Sequence, residues 1–497
     1  MASAGAFFRL MGAGWTLVRH DALLPRELDA FYSPGVRALG NGLRIFASRR
    51  DGRPGERLAR SLEGLGPVAI KLGQLLSTRG DIFGRTFAED LSRLKDKLPP
   101  FPTAQARAQV AQEIGRPVDE LFATFGEPVA AASLAQAHEA TLNDGARVAV
   151  KVLRPGIERR VAADSAVLAL AAGLIERLAP PLRRLEPVQF ARTVIRATEL
   201  ELDLRMEAAG ADELAEVMGR DGYMSAPKVM WEGVGKRVLT MGWAEGMPLS
   251  DPAALEQPGL DRKALADNLT RAFLAQALDH GVFHADLHEG NLFAAAPAKI
   301  SAVDFGIIGR LGPTERRYLA EILWGFLQRD YPRVAKVHFD AGYVPARHSV
   351  AAFAQALRAV GEPVFGRSAS TIAMSRVLTQ LFEITALFEM HLRPELVLLQ
   401  KTMMTVEGVA RRIDPDHDIW GASEPVVRRW IARELSPATR MKQLAGEAET
   451  ALRNLARLTE PRTAAAVEAD PPPGSRLLWF ALGALAAGAA FVVGALL

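Results

Sequence analysis

Two short polar stretches in the middle of the chain have the residue types and spacing of a phosphoryl-transfer site. The first is HADLHEGN at residues 284–291, which contains Asp286 and Asn291, and the second is DFG, which begins at Asp304. Asp286 is suited to accept or orient a proton on an attacking hydroxyl. Asn291 and Asp304 offer the oxygen ligands that Mg²⁺ prefers when it also holds phosphates. Apolar stretches precede both acids, so the pattern predicts loops between short β-strands, as in protein kinases. Two unrelated polar turns are the alternative.

A lysine within an apolar strand pattern is the second candidate. Residues 147–152 read Arg-Val-Ala-Val-Lys-Val, which predicts a β-strand that carries Lys151 among apolar neighbours. Burial of an unpaired ammonium group is costly, so we expect Lys151 to face an anion. In kinases the lysine of a Val-Ala-x-Lys strand holds nucleotide phosphates and pairs with a helix glutamate. A lysine at a strand edge is the alternative.

The helical pattern between residues 58 and 98 carries a further pair of polar residues. Lys71 and Gln74 stand three apart, so they share one face of the predicted helix. A solvated helix face is the common outcome for such a pair, and these two residues alone predict no function. Three prolines between residues 99 and 102 then end the helix and mark a linker.

Acidic residues follow on a second helical pattern. Residues 189–218 predict one long helix that carries Glu201, Asp203 and Glu207. Asp203 and Glu207 stand four apart, where like charges repel unless a cation lies between them. A solvated acidic face is the alternative. Two lysines elsewhere lack an obvious partner, so a functional pairing with these acids stays open.

The composition is that of an ordinary globular protein. Of the 497 residues, 49% are hydrophobic and 24% are charged, so a large core can form. The 60 basic and 57 acidic residues nearly balance, which gives no support to nucleic-acid binding. The chain has no cysteine, which excludes disulfides, thiolate metal sites and cysteine nucleophiles and fits a reducing cytosolic setting.

Both ends of the chain are apolar. Residues 1–20 predict a helix, interrupted by Arg9, that either lies on a membrane surface or packs on its own protein. Residues 477–497 run for 21 residues without a charge. At about 1.5 Å per residue, such a helix crosses a hydrocarbon core of roughly 30 Å. Arg476 precedes this span, so the positive-inside tendency keeps the folded part in the cytoplasm. A buried core helix is the alternative.

These patterns predict six segments. They are an N-terminal helical or interfacial segment, a helical extension, a lobe with strands and inserted helices, a helical lobe with the catalytic and metal-binding loops, a linker rich in proline and alanine, and a transmembrane helix. The predicted boundaries are residues 1–56, 57–102, 103–241, 242–457, 458–476 and 477–497.

With these residues in place, the chain resembles the UbiB family of atypical kinase-like proteins, which is linked with ubiquinone (coenzyme Q) biosynthesis. The resemblance runs from about residue 55 to residue 425. The matching positions are Lys71 and Gln74 for the Lys-x-Gly-Gln signature, Glu201 and Asp203 for Glu-x-Asp, Ala130, Ala131, Ala132 and Ser133 for an alanine-rich loop in place of the glycine-rich loop of kinases, Lys151 for the nucleotide lysine, Glu207 for its helix partner, Asp286 and Asn291 for the catalytic loop, and Asp304 for the metal aspartate.

The resemblance implies an α+β, two-lobed protein-kinase-like fold with a helical N-terminal extension over the cleft. In that arrangement Lys71 meets the acids of Glu-x-Asp and closes the site. Two neighbourhoods depart from the family, because Gly210 stands where asparagine is common and Gly242 where an acidic residue is common.

The resemblance also implies cofactors, partners and location. The expected cofactors are ATP and Mg²⁺. The expected location is the inner (cytoplasmic) membrane with the soluble domain in the cytoplasm. The expected partners are membrane lipid and quinone-biosynthesis intermediates or enzymes, with no nucleic acid, and a homodimer stays open.

Three functions remain in competition. The first is a Mg²⁺-dependent ATP-binding atypical kinase or ATPase that supports ubiquinone biosynthesis. The second is a catalytically silent, nucleotide-gated scaffold or chaperone that presents quinone intermediates to other enzymes. The third is an ordinary protein kinase, which the missing glycine-rich loop and the Lys71 extension disfavour.

Overall fold

The computed structural model describes residues 4–23, 34–48, 51–77, 84–92, 94, 99–178, 183, 186–365, 384, 387–390 and 394–434. The chain divides into two compact units, Met1–Ala432 and Arg433–Leu497. Only residues 433 and 434 of the second unit are described. The predicted linker and the predicted membrane span, residues 458–497, lie outside the described residues, so the span stays a prediction. In the part of the chain that is described, no helix has both the length and the apolar character to cross a bilayer.

Within the described part of residues 1–98 the structure has five helices, in keeping with the helical patterns at residues 1–20 and 58–98. Apolar side chains at helical spacing, among them Leu58, Leu62 and Leu91, form a core between these helices. The third helix begins at a proline that follows Arg53, whose N–H donates to the Glu56 carboxylate (3.0 Å). The helices are α1 Ala4–Arg19, α2 Pro34–Leu43, α3 Pro54–Leu65, α4 Pro67–Ser77 and α5 Arg85–Ser92.

A four-stranded antiparallel sheet forms the smaller lobe, with strands in the order β1-β2-β3-β4. Val148, Val150 and Val152 alternate along β3 and are fully buried against one face. Lys151 therefore lies on the opposite face, between Ala137 of β2 and Leu239 of β4. The elements are α6 Thr103–Ile114, α7 Val118–Leu121, β1 Phe122–Ala131, β2 Ala135–Leu142, β3 Arg147–Leu153 and β4 Val238–Gly242.

The single helix predicted for residues 189–218 is wrong, because the structure has two helices there. Helix α9 spans Pro187–Leu200 and helix α10 spans Leu204–Asp221. Asp203 has an extended backbone (φ −122°, ψ 91°), and its carboxylate accepts a hydrogen bond from the Arg205 N–H at 3.2 Å. An aspartate at this position caps a new helix, and this local capping outweighs the continuous helical propensity. Before these two helices, α8 spans Ile157–Leu178.

The larger lobe is mainly helical, with short strand pairs around its polar loops. Strands β7 and β8 pair with each other, as do β6 and β9. The predicted break near Asp414 is present between the last two helices. The elements are β5 Met247–Pro248, α11 Arg262–Ala275, a π-turn Gln276–His280, β6 Val282–His284, β7 Leu292–Ala295, β8 Lys299–Ala302, β9 Ile308–Arg310, α12 Pro313–Leu327, α13 Tyr331–Asp340, α14 Val350–Phe365, α15 Pro394–Ile413 and α16 Ile419–Glu434.

Candidate functional site

The predicted strand lysine lies between two acids from different elements. The Nζ of Lys151 lies 2.8 and 2.9 Å from the two carboxylate oxygens of Glu207 and 3.3 Å from Oδ1 of Asp304. Glu207 is on α10, whereas Asp304 is in the loop between β8 and β9. A helix, a strand and a loop that are far apart in sequence thus converge on one ammonium group.

This convergence perturbs the protonation of all three groups. The nearby Lys151 ammonium lowers the pKa of Asp304 to about 2. Burial by itself disfavours the charged form of Lys151, but Asp304 and Glu207 outweigh it and raise the lysine's pKa. Burial raises the pKa of Glu207, and Lys151 opposes that shift. Strongly perturbed groups that lie together are typical of functional sites, although structural ion pairs also produce them.

The backbone at Asp304 is unusual. Its φ is +61°, in the left-handed region that a non-glycine residue rarely adopts. Its carboxylate accepts a hydrogen bond from the Gly306 backbone. Strain of this kind persists only where the surroundings hold it and is frequent at functional sites.

A glycine of α10 lies close to the residues of this loop. A Cβ at Gly210 would collide with the end of the Ile308 side chain just after the DFG sequence. Glycine at this position, one of the two departures from the family pattern, therefore has a local packing reason.

The second predicted lysine also has an acidic partner. Lys71 on α4 forms an ion pair with Glu201, which lies in the break between α9 and α10. Burial raises the pKa of Glu201, and the Lys71 ammonium opposes this. Gln74 lies one turn further along α4 and is half-buried.

The expectation that Lys71 would lie between Glu201 and Asp203 needs correction. The Asp203 carboxylate is bound by the Arg205 guanidinium at 2.8 and 2.6 Å and caps α10. Hydrogen bonding to Arg205 lowers the pKa of Asp203. Asp203 and Glu207 also do not share a cation, since Glu207 pairs with Lys151.

The two polar loops of the larger lobe are tied together by backbone contacts. His284 is fully buried; its Nδ1 accepts from the Asp286 N–H at 3.1 Å, and its Nε2 lies 3.1 Å from the Val303 carbonyl. This pattern fixes the proton on Nε2, and burial lowers the pKa of His284. The Nδ2 of Asn291 donates to the Asp286 carbonyl at 3.0 Å, so the amide oxygen Oδ1 is the atom of this side chain that could bind a cation.

Sequence reasoning missed a histidine beside the proposed catalytic acid. The Nδ1 of His288 accepts from the Gly290 N–H at 3.0 Å, and its Nε2 lies 3.7 Å from Oδ2 of Asp286. His288 is exposed. Its position two residues after Asp286 was the available signal.

Helix α15 of the larger lobe also contacts the predicted catalytic loop. The Oγ1 of Thr402, buried on α15, lies 3.1 Å from the Ala285 carbonyl and 2.9 Å from the Leu398 carbonyl, which share its one hydroxyl proton. Arg412 of the same helix forms an ion pair with Glu289. Nothing in the sequence pattern pointed to either contact, because more than 100 residues separate the partners.

The predicted alanine-rich loop is shorter than expected. Ala130 and Ala131 belong to β1 and pair with Ala137 and Gln136, so the turn covers only residues 132–134. Ser133 is buried within it. Arg154, just after β3, ties down this turn, because its Nε donates to the Ala132 carbonyl at 2.9 Å. Sequence reasoning missed Arg154.

The residues present fit Mg²⁺ bound together with phosphates. Asp304 is ionised, and its side chain is 52% exposed, so a cation can reach it. Asn291 adds an amide oxygen from the adjoining loop. Among the described residues no group of three or more His, Asp or Glu side chains could hold a metal alone. Mg²⁺ commonly takes one or two protein ligands and completes its shell with phosphate and water.

Comparison with known families and proteins identifies relatives along most of the chain. The sequence profile of the ABC1 atypical kinase-like domain matches residues 93–338, and that of the UbiB helical domain matches residues 357–418. A protein named "Probable protein kinase UbiB" from Marinobacter nauticus is 41% identical over 395 residues, which cover 78% of this chain and 72% of that protein.

Further relatives carry the same name. The protein from Pseudomonas aeruginosa is 38% identical over 456 residues, which cover 89% of this chain and 84% of the relative. The protein from Azotobacter vinelandii is 39% identical over 432 residues, which cover 85% and 80%.

One solved structure supports the fold. It is titled as the complex of Rv3197 with erythromycin from Mycobacterium tuberculosis. It is 24% identical to this chain, with a TM-score of 0.50, and the match covers 73% of this chain and 93% of the other. At this identity the likeness bears on the fold alone.

Proposed function

This chain belongs to the UbiB family of ABC1 atypical kinase-like proteins, and we propose that it is a Mg²⁺-dependent ATP-binding kinase or ATPase that supports ubiquinone biosynthesis. The resemblance read from the sequence is thereby confirmed, as is the kinase-like α+β fold with a helical region. The relatives' name, a probable protein kinase UbiB, implies a role in ubiquinone biosynthesis.

The observation that carries the proposal is the ammonium of Lys151 held between Glu207 and Asp304. Glu207 would keep Lys151 in place, and Lys151 would hold nucleotide phosphates. Asp304 and Asn291 would hold Mg²⁺, which neutralises phosphate charge when bound. Asp286 would position the nucleophile, either water or a hydroxyl of a small molecule. The turn from Ala132 to Ser133 would cover the phosphates, with fewer conformations than a glycine-rich loop because alanine is less free than glycine.

The ion pair between Lys71 and Glu201 is suited to control access to the nucleotide site. Lys71, from the helical extension, pairs with Glu201 at the start of the segment that leads to Glu207. This pair places a positive charge beside a half-buried acid and joins α4 to the α9–α10 break. We propose that Lys71, Gln74 and Glu201 regulate access to the site, whereas Asp203 fixes the start of α10. Location at the inner membrane, with quinone intermediates or their enzymes as partners, is part of the same proposal.

The test is nucleotide binding by an Asp304→Asn variant. Loss of the carboxylate removes the charged Mg²⁺ ligand, so we expect Mg²⁺-dependent ATP binding to disappear in calorimetric titrations. The matched control is Asp251→Asn, because Asp251 also caps a local turn but lies outside this cluster. Unchanged Mg²⁺-dependent binding by Asp304→Asn would refute the assignment of this residue.

A second function is favoured by one specific contact. The carboxylate of Asp304, which the first proposal gives to Mg²⁺, lies 3.3 Å from Lys151. Nucleotide binding would break this contact and move the loop, which would suit a nucleotide-gated scaffold or chaperone for quinone intermediates. An Asp286→Ala variant separates the two functions in a ubiquinone-deficient strain. Rescue by a variant that still binds ATP would favour the scaffold, and loss of rescue would favour catalysis.

A further inference from the structure

A π-turn lies directly before the predicted catalytic loop, residues 284–291, and the chemistry proposed so far gives it no role. Ala275, the last residue of α11, has helical backbone angles, so the helix runs without a break into the π-turn Gln276–His280. Strand β6 follows after Gly281. Turns of this kind are rare in helices and are frequently found at functional sites. The contacts that hold this turn therefore bear on what it does.

The first residue of the π-turn is bound to the start of the catalytic loop. Gln276 is only 1% exposed, and its Oε1 accepts a hydrogen bond from the His284 N–H at 3.0 Å. Among the described residues, the Nε2 of Gln276 has no hydrogen-bond partner. Burial of an amide whose donor group is unpaired is costly, and an apolar side chain of similar size would avoid this cost. What the amide provides at this position is the bond to His284.

The backbone at the start of the catalytic loop is held at three successive residues. The His284 N–H donates to Gln276, and the Asp286 N–H donates to Nδ1 of His284 at 3.1 Å. Between them, the Ala285 N–H donates to the Ile307 carbonyl at 3.0 Å. A catalytic side chain has to be held within about 0.5 Å of its productive position. Because Asp286 is the third of these residues, the position of its carboxylate depends on these bonds.

The later residues of the π-turn are bound by two consecutive residues of α16. The Nε1 of Trp430 donates to the Leu278 carbonyl at 2.8 Å, and an Nη of Arg429 donates to the Asp279 carboxylate at 2.8 Å. Arg316 of α12 also donates to the Leu278 and Asp279 carbonyls, at 3.4 and 3.0 Å. Carbonyls at the end of a helix lack partners within it, and the Asp279 carboxylate, only 6% exposed, needs a cation. Helix α16 supplies an indole donor and that cation.

These contacts form one continuous series from α16 to the proposed catalytic acid. Trp430 and Arg429 hold the later residues of the π-turn, whereas Gln276 joins its first residue to His284. His284 in turn binds the Asp286 N–H. Hydrogen bonds and ion pairs that join short helical elements in this way can carry energetic coupling between distant parts of a fold. The position of α16 therefore bears on the position of Asp286.

We propose that Gln276 is a positioning residue for Asp286 and that α16 sets its position through the π-turn. The inference rests on the proposed function, because it deepens the role given there to Asp286. The partner of Gln276 is the backbone of the catalytic loop, and not one of the side chains proposed to hold magnesium-bound nucleotide, which are Lys151, Asn291 and Asp304. Gln276 therefore acts on turnover and not on nucleotide affinity.

The first test compares turnover with nucleotide binding in the full chain. Gln276→Met removes the acceptor for the His284 N–H but retains the length of the side chain. We expect kcat for MgATP hydrolysis to fall by about tenfold, while the Kd for MgATP changes by less than about twofold. The matched control is Gln257→Met, which we expect to change neither parameter. The amide of Gln257 donates to the Ala254 and Ala294 carbonyls, at 2.7 and 3.0 Å, and not to the catalytic loop.

The second test addresses the contribution of α16. Trp430→Phe removes the donor to the Leu278 carbonyl but retains an aromatic ring, and we expect kcat to fall by about threefold. The control is Trp420→Phe on the same helix, because Trp420 packs in another core, against Phe326. In the double variant we expect the kcat of Gln276→Met alone, since the influence of α16 passes through Gln276. A further fall in the double variant would contradict this route.

Hydrogen exchange tests the structural connection without any turnover. Mass spectrometry of peptides that cover residues 282–290 reports the His284 and Asp286 amides. We expect these amides to lose protection in Trp430→Phe but not in Trp420→Phe. A wild-type chain without ATP turnover would refute the proposed kinase or ATPase function, and the exchange result would still decide whether α16 acts on the loop.

Any of three results overturns the proposal. One is a Kd for MgATP that rises in Gln276→Met as much as kcat falls, which assigns Gln276 to nucleotide binding. Another is an equal loss of kcat in Gln276→Met and Gln257→Met, which assigns the effect to general destabilisation. The last is unchanged exchange at residues 282–290 in Trp430→Phe, which shows that α16 does not act on the catalytic loop.

Discussion

Lys151 has two acidic partners, and they differ in how firmly they are held. Glu207 contacts the ammonium with both oxygens, and its side chain is only 9% exposed. Asp304 uses one oxygen at a longer distance and is 52% exposed. A buried carboxylate without its cation is strongly destabilised, so Glu207 is the lasting partner of Lys151. Asp304 can exchange the lysine for a metal ion.

This difference predicts the effect of a Glu207→Gln substitution. Lys151 loses a charged partner and its orientation, and charge-assisted hydrogen bonds of this kind contribute about 1.5–3 kcal/mol. We expect the Kd for MgATP to rise by about tenfold or more. Titration calorimetry measures this, with Glu213→Gln as the control, because Glu213 lies on the same helix but pairs with Arg310 at the surface. Equal affinities of both variants would contradict the role of Glu207.

For single residues, the sequence indicated which side chains are functional candidates, but it was less informative about the side chains with which they pair. Lys151 could be singled out because an ammonium within an apolar strand needs an anion, and the structure supplies Glu207 and Asp304. The partner of Asp203 could not be read in the same way. A nearby arginine, Arg205, and a helix start compete for that carboxylate, and this competition depends on backbone geometry that no spacing rule contains.

Among the secondary-structure elements, α15 contacts the predicted catalytic loop at two points. Thr402 binds the carbonyl of Ala285, the residue directly before Asp286, and Arg412 pairs with Glu289 within the loop. Helix α15 lies within residues 357–418, the segment that matches the UbiB helical domain. This helical segment therefore contacts the loop that carries the proposed catalytic residue Asp286.

This contact predicts a selective effect of Thr402→Val. The substitution leaves the buried carbonyl of Ala285 without this donor, which costs about 1–3 kcal/mol locally. If the proposed ATP turnover is correct, we expect kcat to fall several-fold while the KM for ATP stays nearly constant, since the nucleotide contacts are elsewhere. Steady-state ATPase assays measure both parameters.

The matched control is Thr405→Val. The Oγ1 of Thr405 lies 3.0 Å from the carbonyl four residues earlier, as the Oγ1 of Thr402 lies 2.9 Å from its own, but Thr405 makes no bond to the loop among the described residues. A loss of turnover that is equal in both variants would assign the effect to α15 itself and contradict a positioning role.

Helices and strands could be predicted from the sequence where the apolar residues follow a single helical or alternating spacing. The alternation of valines around Lys151 gave β3, and helical spacing gave the N-terminal helices. The break between α9 and α10 could not be predicted, because a single capping residue, Asp203, interrupts a region of otherwise strong helical pattern. The support from α15 was also beyond reach, because tertiary packing alone brings it to the catalytic loop.

At the scale of the whole molecule, a buried histidine makes stability depend on pH. His338 on α13 is only 5% exposed, and burial lowers its pKa to about 4 from 6.5. Below pH 6.5 the unfolded chain binds a proton at this position that the folded chain does not bind until about pH 4. The stability contributed by the neutral ring is therefore present above pH 6.5 and is lost as pH falls through this window.

A His338→Phe variant should lose this part of the pH dependence. The imidazole contributes up to about 3 kcal/mol across the window, and the phenyl ring retains the packing against Tyr343 and Phe353. We expect the fall in unfolding free energy between pH 6.5 and pH 4 to be smaller in the variant, as measured by urea titration. His288→Gln serves as the control because His288 is exposed. An unchanged pH dependence in His338→Phe would show that His338 does not titrate as described.

The proposed site for magnesium-bound nucleotide phosphates consists of Lys151, Glu207 and Asp304. The most direct measurement is ³¹P NMR of ATP titrated with the full chain, with and without Mg²⁺. We expect the β- and γ-phosphate resonances to shift and broaden only when protein and Mg²⁺ are both present. We also expect Lys151→Met to remove the change, whereas Lys299→Met, which replaces an exposed lysine on β8, retains it. Resonances that stay at the positions of free MgATP, or a change that persists in Lys151→Met, would contradict the claim.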